Sequence, residues 1–395
     1  MNESINWEKA TLGSISLVDG QYGANEPAVS LMEGNARYIR ITDIDDDGHL
    51  INEGAVGANI EKIEHYTVNY NDLLFARTGA TTGKCYIHRD KNGVYTFAGF
   101  LIKFKIDESK ADPYYIWSLT KTKKYSDWVK TMSVRSGQPG INSKEYSNLE
   151  ITLPPLAYQK KITHILSTWD EAIFQVDSLI SEYQNQYDSI VNLILKKKDI
   201  YSTLNRWHEV LLGELITEVS EKTRLNDQYP VLTSSRKGIF LQEEYFKKSV
   251  SSSDNTGYKI IRNGEFTFRA MSDDGSFKFN RLEDYPVGIV SPAYSVFKAT
   301  KIEPRFLNLY MNSHTFTKEI AKSSQGGTRL SLKYKALSNF KISIPSFETQ
   351  SKISDFFDVF RKHINQYRLY KVQLKKQKEG LMQQLLTGKI RVNVN

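Results

Sequence analysis

Two stretches of the chain place apolar side chains at alternating steps of four and three residues. The first runs from Ile162 to Ile194, and the second runs from Ile353 to Leu385. This is the two-per-heptad spacing of a coiled-coil helix, and it is narrower than the apolar face of an ordinary surface helix. The pattern therefore predicts two long helices, each spanning roughly 50–60 Å at about 1.5 Å per residue. Two ordinary amphipathic helices in separate cores are the alternative.

We expect the apolar side chains of these two helices to form a seam between them. The second helix places Lys371 and Lys378 at two of its seam positions. A charged side chain at such a position costs stability but can fix register and partner choice. The predicted interhelix seam residues are Ile162, Leu166, Trp169, Ile173, Val176, Ile180, Ile353, Phe357, Phe360, Ile364, Leu374 and Leu381.

Shorter patterns indicate strands and short helices in the rest of the chain. A helix is predicted from Asp112 to Met132, because Asp112 is a good N-cap and Pro113 suits the first turn. Glu303 begins the same arrangement in the second half of the chain. Strand-like apolar runs bounded by turn residues lie at 38–41, 73–76 and 100–106.

The chain as a whole contains an internal repeat. Residues Ser147–Pro154 return as Ser338–Pro345, 191 positions later, and Gln159 and Gln350 keep the same offset. This period exceeds the roughly 20–50 residues of a solenoid unit, so it corresponds to a whole domain plus its connector. We therefore predict two similar heads, called head 1 and head 2.

The predicted fold class is α/β in the α+β sense. Two similar mixed α/β heads are joined by two long antiparallel coiled-coil helices, with a pseudo-two-fold internal repeat. The expected domains are head 1 at 1–153, spacer helix 1 at 154–200, head 2 at 201–344, and spacer helix 2 with the C-terminal tail at 345–395.

The composition is that of a moderately basic globular protein. The hydrophobic content of 40% and the charged content of 25% allow each head to bury a core. With 53 Lys and Arg against 45 Asp and Glu, the net charge is +8, which fits a polyanionic partner. A single cysteine, Cys85, favours a reducing cytoplasm, and no apolar run nears the roughly 20 residues that span a bilayer.

The loop Gly79–Lys84 is the first candidate for function. It resembles a phosphate-binding loop, but it has three residues between its glycines instead of four, and Cys85 replaces the required Ser or Thr. Together with Arg77, it is better explained as a flexible basic finger whose amides, hydroxyls and cations contact DNA. A plain hairpin turn is the alternative.

A second candidate segment precedes the repeated proline of each head. It covers 135–142 in head 1 and 323–330 in head 2, and both copies are rich in Gly, Gln, Ser and Arg. Gln and Arg can make bidentate contacts to base edges, and glycine permits close approach of the backbone. A connector loop is the alternative. In head 2, residues 269–278 replace the Gly-rich finger.

These loops supply the predicted DNA-binding residues. They differ between the heads, so we expect divergent readers on a shared scaffold. The residues are Arg77, Thr78, Thr81, Thr82, Lys84, Arg135, Gln138 and Asn142 in head 1, and Arg269, Ser272, Lys278, Gln325, Thr328 and Arg329 in head 2.

Patterns for catalysis and metal binding find little support. The run Asp43-x-Asp45-x-Asp47-Gly48 imitates a calcium loop, but Gly54 stands where a bidentate Glu is required, which favours an acidic hairpin turn. The seven histidines show no metal-ligand spacing, and neither a Gly-x-Ser-x-Gly elbow nor an Asn-Pro-Pro-aromatic methylation motif occurs. We expect no catalytic residue, metal or cofactor in this chain.

Several motifs together resemble the specificity (S) subunit of type I restriction–modification systems, over essentially the whole chain. One is Trp7-x5-Gly13 with its echo Trp207-x5-Gly213. The others are the segments 72–79, 151–162, 342–353 and 380–389.

The resemblance implies a non-catalytic, sequence-specific DNA-recognition subunit in a bacterial or archaeal cytoplasm. In that family each head is a target recognition domain that reads half of a split DNA sequence. The two helices set the spacer and bind two methyltransferase (M) subunits, which methylate adenine N6. Double-stranded DNA, the M subunits and, through them, motor–nuclease restriction (R) subunits are the implied partners, with no membrane. S-adenosylmethionine, ATP and Mg²⁺ would belong to the partner subunits.

Two rival functions remain open from the residues alone. A single-chain restriction–methylation enzyme would need a methyltransferase domain, for which the chain leaves no room. A two-headed scaffold that joins proteins would show no salt-dependent affinity for DNA.

Overall fold

The computed structural model describes residues 7–32, 34–135, 137–196, 207–246, 254–272, 276–323 and 330–394. The chain divides into two compact units: unit 1 comprises Met1–Gln175 with Lys371–Asn395, and unit 2 comprises Val176–Tyr370. Helix makes up 40% of the structure and strand 24%. The predicted mixed α/β class is therefore confirmed. Within the described residues, no helix is both long enough and apolar enough to cross a membrane.

Nine α-helices occur in the described part of the chain, and two of them are much longer than the rest. Both long helices, the fourth and the ninth, begin in one unit and end in the other. The helices are α1 (Pro113–Leu119), α2 (Lys123–Met132), α3 (Ser143–Ser147), α4 (Leu156–Lys196), α5 (Gln242–Tyr245), α6 (Pro304–Met311), α7 (His314–Ser323), α8 (Tyr334–Ser338) and α9 (Phe347–Leu386).

Unit 1 is built around a four-stranded antiparallel sheet. Its strands are β1 (Glu8–Thr11), β2 (Gln21–Tyr22), β3 (Ala28–Ser30), β4 (Arg37–Ile39), β5 (Val56–Ala58), β6 (Leu73–Ala76), β7 (Cys85–Ile87), β8 (Tyr95–Phe97), β9 (Leu101–Phe104) and β10 (Glu150–Leu153). The sheet order is β2-β9-β6-β7, and β1 pairs with β10, β3 with β5, and β4 with β8. Phe75, Phe104 and Tyr146 are fully buried in its core.

Unit 2 repeats this arrangement. Its strands are β11 (His208–Leu211), β12 (Ile216–Glu218), β13 (Leu232–Ser235), β14 (Gly238–Leu241), β15 (Lys259–Arg262), β16 (Phe266–Arg269), β17 (Met271–Ser272), β18 (Asn280–Arg281), β19 (Val287–Val290), β20 (Tyr294–Ala299), β21 (Leu330–Ser331) and β22 (Lys341–Ile344). The four-stranded order β12-β20-β16-β18 corresponds to that of unit 1, and β11 pairs with β22 as β1 pairs with β10. Phe266, Phe297 and Phe306 are fully buried there.

A glutamine at the same repeat position joins the head to the long helix in each unit. Gln159 accepts a hydrogen bond from the backbone N–H of Asp112 (2.9 Å) and donates one to the carbonyl of Pro154 (2.8 Å). Gln350 makes the same pair of bonds to Glu303 (2.9 Å) and Pro345 (2.9 Å). The recurrence of this glutamine therefore has a structural cause.

The predicted seam residues are all buried or half-buried, while most of their neighbours on the same helices are exposed. In unit 1, Ile162 and Leu166 of α4 share a core with Leu385 of α9. In unit 2, Tyr187 of α4 lies edge-on to Phe357 of α9, with ring centroids 4.9 Å apart. Within unit 1, Asp170 of α4 also pairs with Lys378 of α9, and within unit 2, Tyr183 of α4 stacks on Tyr367 of α9. In each unit, the contact that lies further along α4 lies earlier along α9, so the two segments pack antiparallel within that unit.

Two sequence predictions about local structure were wrong in detail. The helix predicted over 112–132 is two helices, because the Thr122 hydroxyl accepts a hydrogen bond from the backbone N–H of Tyr125 and so starts α2 anew. Its predicted start is right, since the Asp112 side chain caps α1. The strand predicted at 38–41 ends at Ile39, and a short 3-10 helix, Ile41–Asp43, follows it.

Candidate nucleic-acid interface

The Gly-rich segment 77–84 connects the antiparallel strands β6 and β7 through a short 3-10 turn, Gly79–Thr81. Gly79 and Gly83 adopt positive φ angles of 73° and 91°, which favour glycine. The hairpin alternative is therefore correct for the backbone. The connection also carries Arg77 and Lys84 at its two ends.

The two candidate segments of head 1 are hydrogen-bonded to each other. The backbone N–H of Gly79 donates to the carbonyl of Pro139 (2.9 Å), and the N–H of Ile141 donates to the carbonyl of Arg77 (2.9 Å). The Thr82 hydroxyl also donates to the Pro139 carbonyl (3.3 Å). Segments 77–84 and 135–142, which are separated by about fifty residues of chain, thus form one continuous surface, called here the unit 1 loop surface.

Most cations and the asparagine on the unit 1 loop surface already have partners. Lys84 forms an ion pair with Asp46 (2.7 Å), and Arg135 bonds both carboxylate oxygens of Glu145 (2.6 and 2.7 Å). Asn142 caps α3 by accepting a hydrogen bond from the N–H of Glu145 (2.9 Å). To contact DNA, these groups must exchange or share their present partners.

Gln138, Arg135 and Asn142 are the more accessible polar groups of this surface. Gln138 is exposed, and Thr78, Thr81 and Thr82 are half-buried. A Cβ atom on Gly79 would come within 3.0 Å of the Gln138 amide, so this glycine permits the loops to approach closely.

Two aromatic residues beside Arg77 were missed by the sequence analysis. The Arg77 guanidinium lies over the ring of Tyr22, 4.7 Å from its centroid, and its backbone N–H donates to the carbonyl of Phe100 (3.0 Å). The Phe100 side chain is 58% exposed. Gly23 and Gly99 would both clash with neighbouring atoms if they carried a Cβ, so glycines beside aromatic residues were the available signal.

The acidic run at 43–49 forms the hairpin turn that the sequence favoured. Asp45 accepts a hydrogen bond from the N–H of His49 through its carboxylate (2.7 Å), and its own N–H donates to the His49 carbonyl (2.9 Å). Ligand atoms of Asp45, Asp47 and His49 lie within 4.8 Å of one another. Asp47 forms an ion pair with Lys375 (2.6 Å). Burial opposes ionisation of Asp47, but this hydrogen bond and charge outweigh it and lower its pKa.

In unit 2, the chain after β16 pairs in a similar way with the described end of the second candidate segment, Leu330. Strand β17, which follows the Arg269 end of β16, pairs with β21, and the N–H of Leu332 donates to the Ala270 carbonyl (2.8 Å). Arg269 is exposed, whereas Lys278 lines a cavity with Asp188 of α4, where burial lowers the pKa of the lysine. Ser272 is buried, and its hydroxyl donates to the Ser276 carbonyl (2.9 Å). The predicted contacts Gln325, Thr328 and Arg329 lie outside the described residues.

Comparison with known proteins identifies the family. The family model described as "Type I restriction modification DNA specificity domain" matches residues 4–181 and 206–374. The chain is 25% identical to the type I restriction enzyme MjaVIII specificity subunit of Methanocaldococcus jannaschii, covering 99% of this chain and 94% of that protein. It is 26% identical to the HindI specificity subunit of Haemophilus influenzae over 38% of this chain and 34% of that protein.

Solved structures show the same fold. The S subunit of the type I restriction–modification system from M. genitalium has a TM-score of 0.53 at 16% identity, covering 98% of this chain and 97% of that one. A chain from a type I R–M system solved in a study of complex assembly has a TM-score of 0.52 at 16% identity, covering 98% and 99%. The matched domain occurs twice, as the internal repeat requires. The chain therefore belongs to the family of specificity subunits of type I restriction–modification systems.

Proposed function

We propose that each unit reads one half of a bipartite DNA target and that the chain itself carries out no catalysis. The observation that carries this proposal is the repeated joining of two polar loops. In both units the loop after the central strand is hydrogen-bonded to the segment that precedes the repeated proline. The same scaffold therefore presents two loop surfaces that differ in sequence, as two half-site readers require.

The long helices provide docking surfaces for two M subunits in this proposal. Outside the seam, both helices expose large apolar side chains, which are costly to leave in water and typical of protein interfaces. These exposed residues are Phe174, Leu179, Leu193, Phe347, Phe356, Val359, Leu369 and Val372. We propose that the helices bind the M subunits through these faces and set the spacer between the half-sites.

The chemistry of DNA modification belongs to the partner subunits in this proposal. Methylation of adenine N6 requires the base to leave the duplex stack, together with a pocket and a methyl donor. We assign S-adenosylmethionine to the M subunits, and ATP and Mg²⁺ to the R subunits held through them.

Substitutions in the unit 1 loop surface separate base reading from backbone binding. Gln138→Ala should relax one base position of the target and reduce discrimination there by about 1–3 kcal/mol, because a side-chain amide can bond a base edge. Lys84→Ala should weaken binding to all sequences alike, because phosphate contacts do not depend on sequence. It should also reduce the number of counterions released on binding by about one, which lowers the dependence of affinity on salt. Fluorescence anisotropy of the complex with its M subunits, over a set of duplexes and salt concentrations, measures both effects.

Lys62→Ala is the matched control, since Lys62 is an exposed lysine of unit 1 that lies in neither segment 77–84 nor segment 135–142. It should leave sequence preference unchanged and the salt dependence nearly so. An equal loss of affinity for every sequence in Gln138→Ala would contradict its base-reading role.

A further inference from the structure

Unit 2 contains a two-stranded hairpin with a basic turn, which was not identified from the sequence. Strands β13 and β14 pair antiparallel from Leu232 opposite Leu241 to Ser235 opposite Gly238. Only Arg236 and Lys237 lie between the paired ends, and both are exposed. The hairpin therefore presents two neighbouring cations at its tip.

The hairpin is held in place next to its turn and along β14. The Asn280 amide, which is buried, donates to the Ser234 hydroxyl (2.8 Å) and to the Ser235 carbonyl (2.7 Å). On β14, the Phe240 ring stacks on Tyr245, with centroids 5.5 Å apart. These contacts hold the hairpin against the rest of unit 2 and fix the position of its turn.

The same contacts place the hairpin beside the predicted DNA-binding residues of unit 2. Asn280 follows Lys278 by two residues and pairs with Thr267 of β16, the strand that ends at Arg269. At the hairpin base, the Thr233 hydroxyl lies 3.4 Å from the Tyr294 hydroxyl, and Tyr294 is the register partner of Arg269. The tip cations, Arg269 and Lys278 therefore belong to neighbouring structural elements.

We propose that the β13–β14 hairpin is a DNA-reading element of unit 2, which enters a groove of duplex DNA as a two-stranded ribbon. The major groove admits a β-ribbon of this kind, and short hydroxyl side chains and arginine are suited to base edges there. Lys237 contacts phosphate, and Arg236 determines part of the half-site, because these two turn residues are the exposed ones. This proposal rests on the proposed function, because it assigns a residue set to one of the two half-site readers.

The test replaces the tip and maps methylation. Arg236→Asn combined with Lys237→Gly removes both charges and keeps two residues between the strands, and both Asn and Gly are common turn residues. The full chain is produced with its M subunits in a host free of adenine methylation, and N6-methyladenine is mapped by single-molecule sequencing. We expect the half-site read by unit 2 to lose at least one specified base, and DNA affinity to fall roughly tenfold or more. The other half-site should stay unchanged.

Two comparisons make the result interpretable. Lys298→Asn with Lys301→Asn removes the same charge near the opposite end of β20 from Tyr294, and it should leave the motif intact. Gln138→Ala, in unit 1, should alter only the other half-site. An unchanged motif and affinity in the Asn-Gly variant overturns the hairpin proposal, and so does a change confined to the unit 1 half-site. A wild-type complex that methylates no bipartite motif overturns the proposed function itself, so the two failures are distinguishable.

Discussion

Single residues explain why parts of the repeat are kept at fixed positions. Gln159 and Gln350 each join the start of a head helix to the start of a long helix, as described above. Gly13 and Gly213 recur because a Cβ at either position would lie 3.1 Å or 2.9 Å from the Cβ of the facing serine, Ser147 or Ser338. The repeated residues are thus those that join strands and helices at the base of each head.

Gln159→Ala should destabilise unit 1. The Gln159 side chain is 1% exposed, and its removal leaves the N–H of Asp112 and the carbonyl of Pro154 without these hydrogen bonds. An unsatisfied buried polar group costs about 1–3 kcal/mol, so we expect a loss of about 2–4 kcal/mol in the free energy of unfolding. Thermal denaturation followed by calorimetry measures it.

Gln175→Ala on the same helix is the control, because that side chain is exposed. Its effect should stay within about 0.5 kcal/mol. If both variants unfolded at the wild-type temperature, the repeated glutamine would not stabilise the contact between the head and the long helix.

The residue types at the candidate site could be predicted, but their present partners could not. Arg77, Lys84 and Gln138 stand out because cations and amides in Gly-rich loops are suited to DNA. That Lys84 pairs with Asp46, or that Arg77 stacks on Tyr22, depends on segments brought together only by folding. The N-cap at Asp112 was predictable, since capping is decided by residues within one turn.

Among the elements, the long helices were the most predictable. Their heptad pattern can be recognised within one helix without knowledge of its partner. All the predicted seam residues are buried or half-buried. The break between α1 and α2 escaped prediction, because the residues around Thr122 do not forbid a continuous helix. The meeting of segments 77–84 and 135–142 also escaped, because backbone hydrogen bonds between distant loops leave no periodic signal.

A polar cluster joins head and helices in unit 1 and gives an element-scale prediction. Asp170 of α4 accepts hydrogen bonds from Lys378 of α9 and from the Tyr114 hydroxyl of α1. Burial, together with the charge of Asp170, raises the pKa of Tyr114 well above its usual range, so its hydroxyl remains a donor. The Asp170 carboxylate thus links α4 to α9 and to α1 through hydrogen bonds.

Asp170→Asn should therefore loosen unit 1. The side chains of Lys378 and Asp170 are 15% and 23% exposed, so the pair is only partly screened by water. Loss of the anion leaves the lysine without its countercharge, and we expect a cost of about 1–2 kcal/mol in unfolding free energy. Calorimetric unfolding of the variant checks this.

Glu171→Gln provides a matched carboxylate-to-amide change at the next, exposed residue of α4. It should have little effect on stability. Equal destabilisation by the two variants would show that Asp170 has no special role in joining the helices.

At the scale of the whole molecule, the internal repeat by itself predicts two heads. A repeat of 191 residues can persist only where the same packing is built twice, and the corresponding four-stranded sheets show that it is. The β13–β14 hairpin was not predicted from the repeat. The sequences of the two heads differ most where the shared scaffold does not constrain them. Its signal was Ser235-Arg236-Lys237-Gly238, a polar turn between the apolar pairs Val231-Leu232 and Ile239-Phe240.

The central claim is that one chain directs modification of a two-part DNA target. Its most direct test is single-molecule mapping of N6-methyladenine in a methylation-free host that expresses this chain with its neighbouring M subunit. We predict a motif of two specified parts at a fixed spacing, which disappears when this chain is omitted. A contiguous motif would contradict the two-reader arrangement, and absence of methylation despite a confirmed complex would favour a protein scaffold instead.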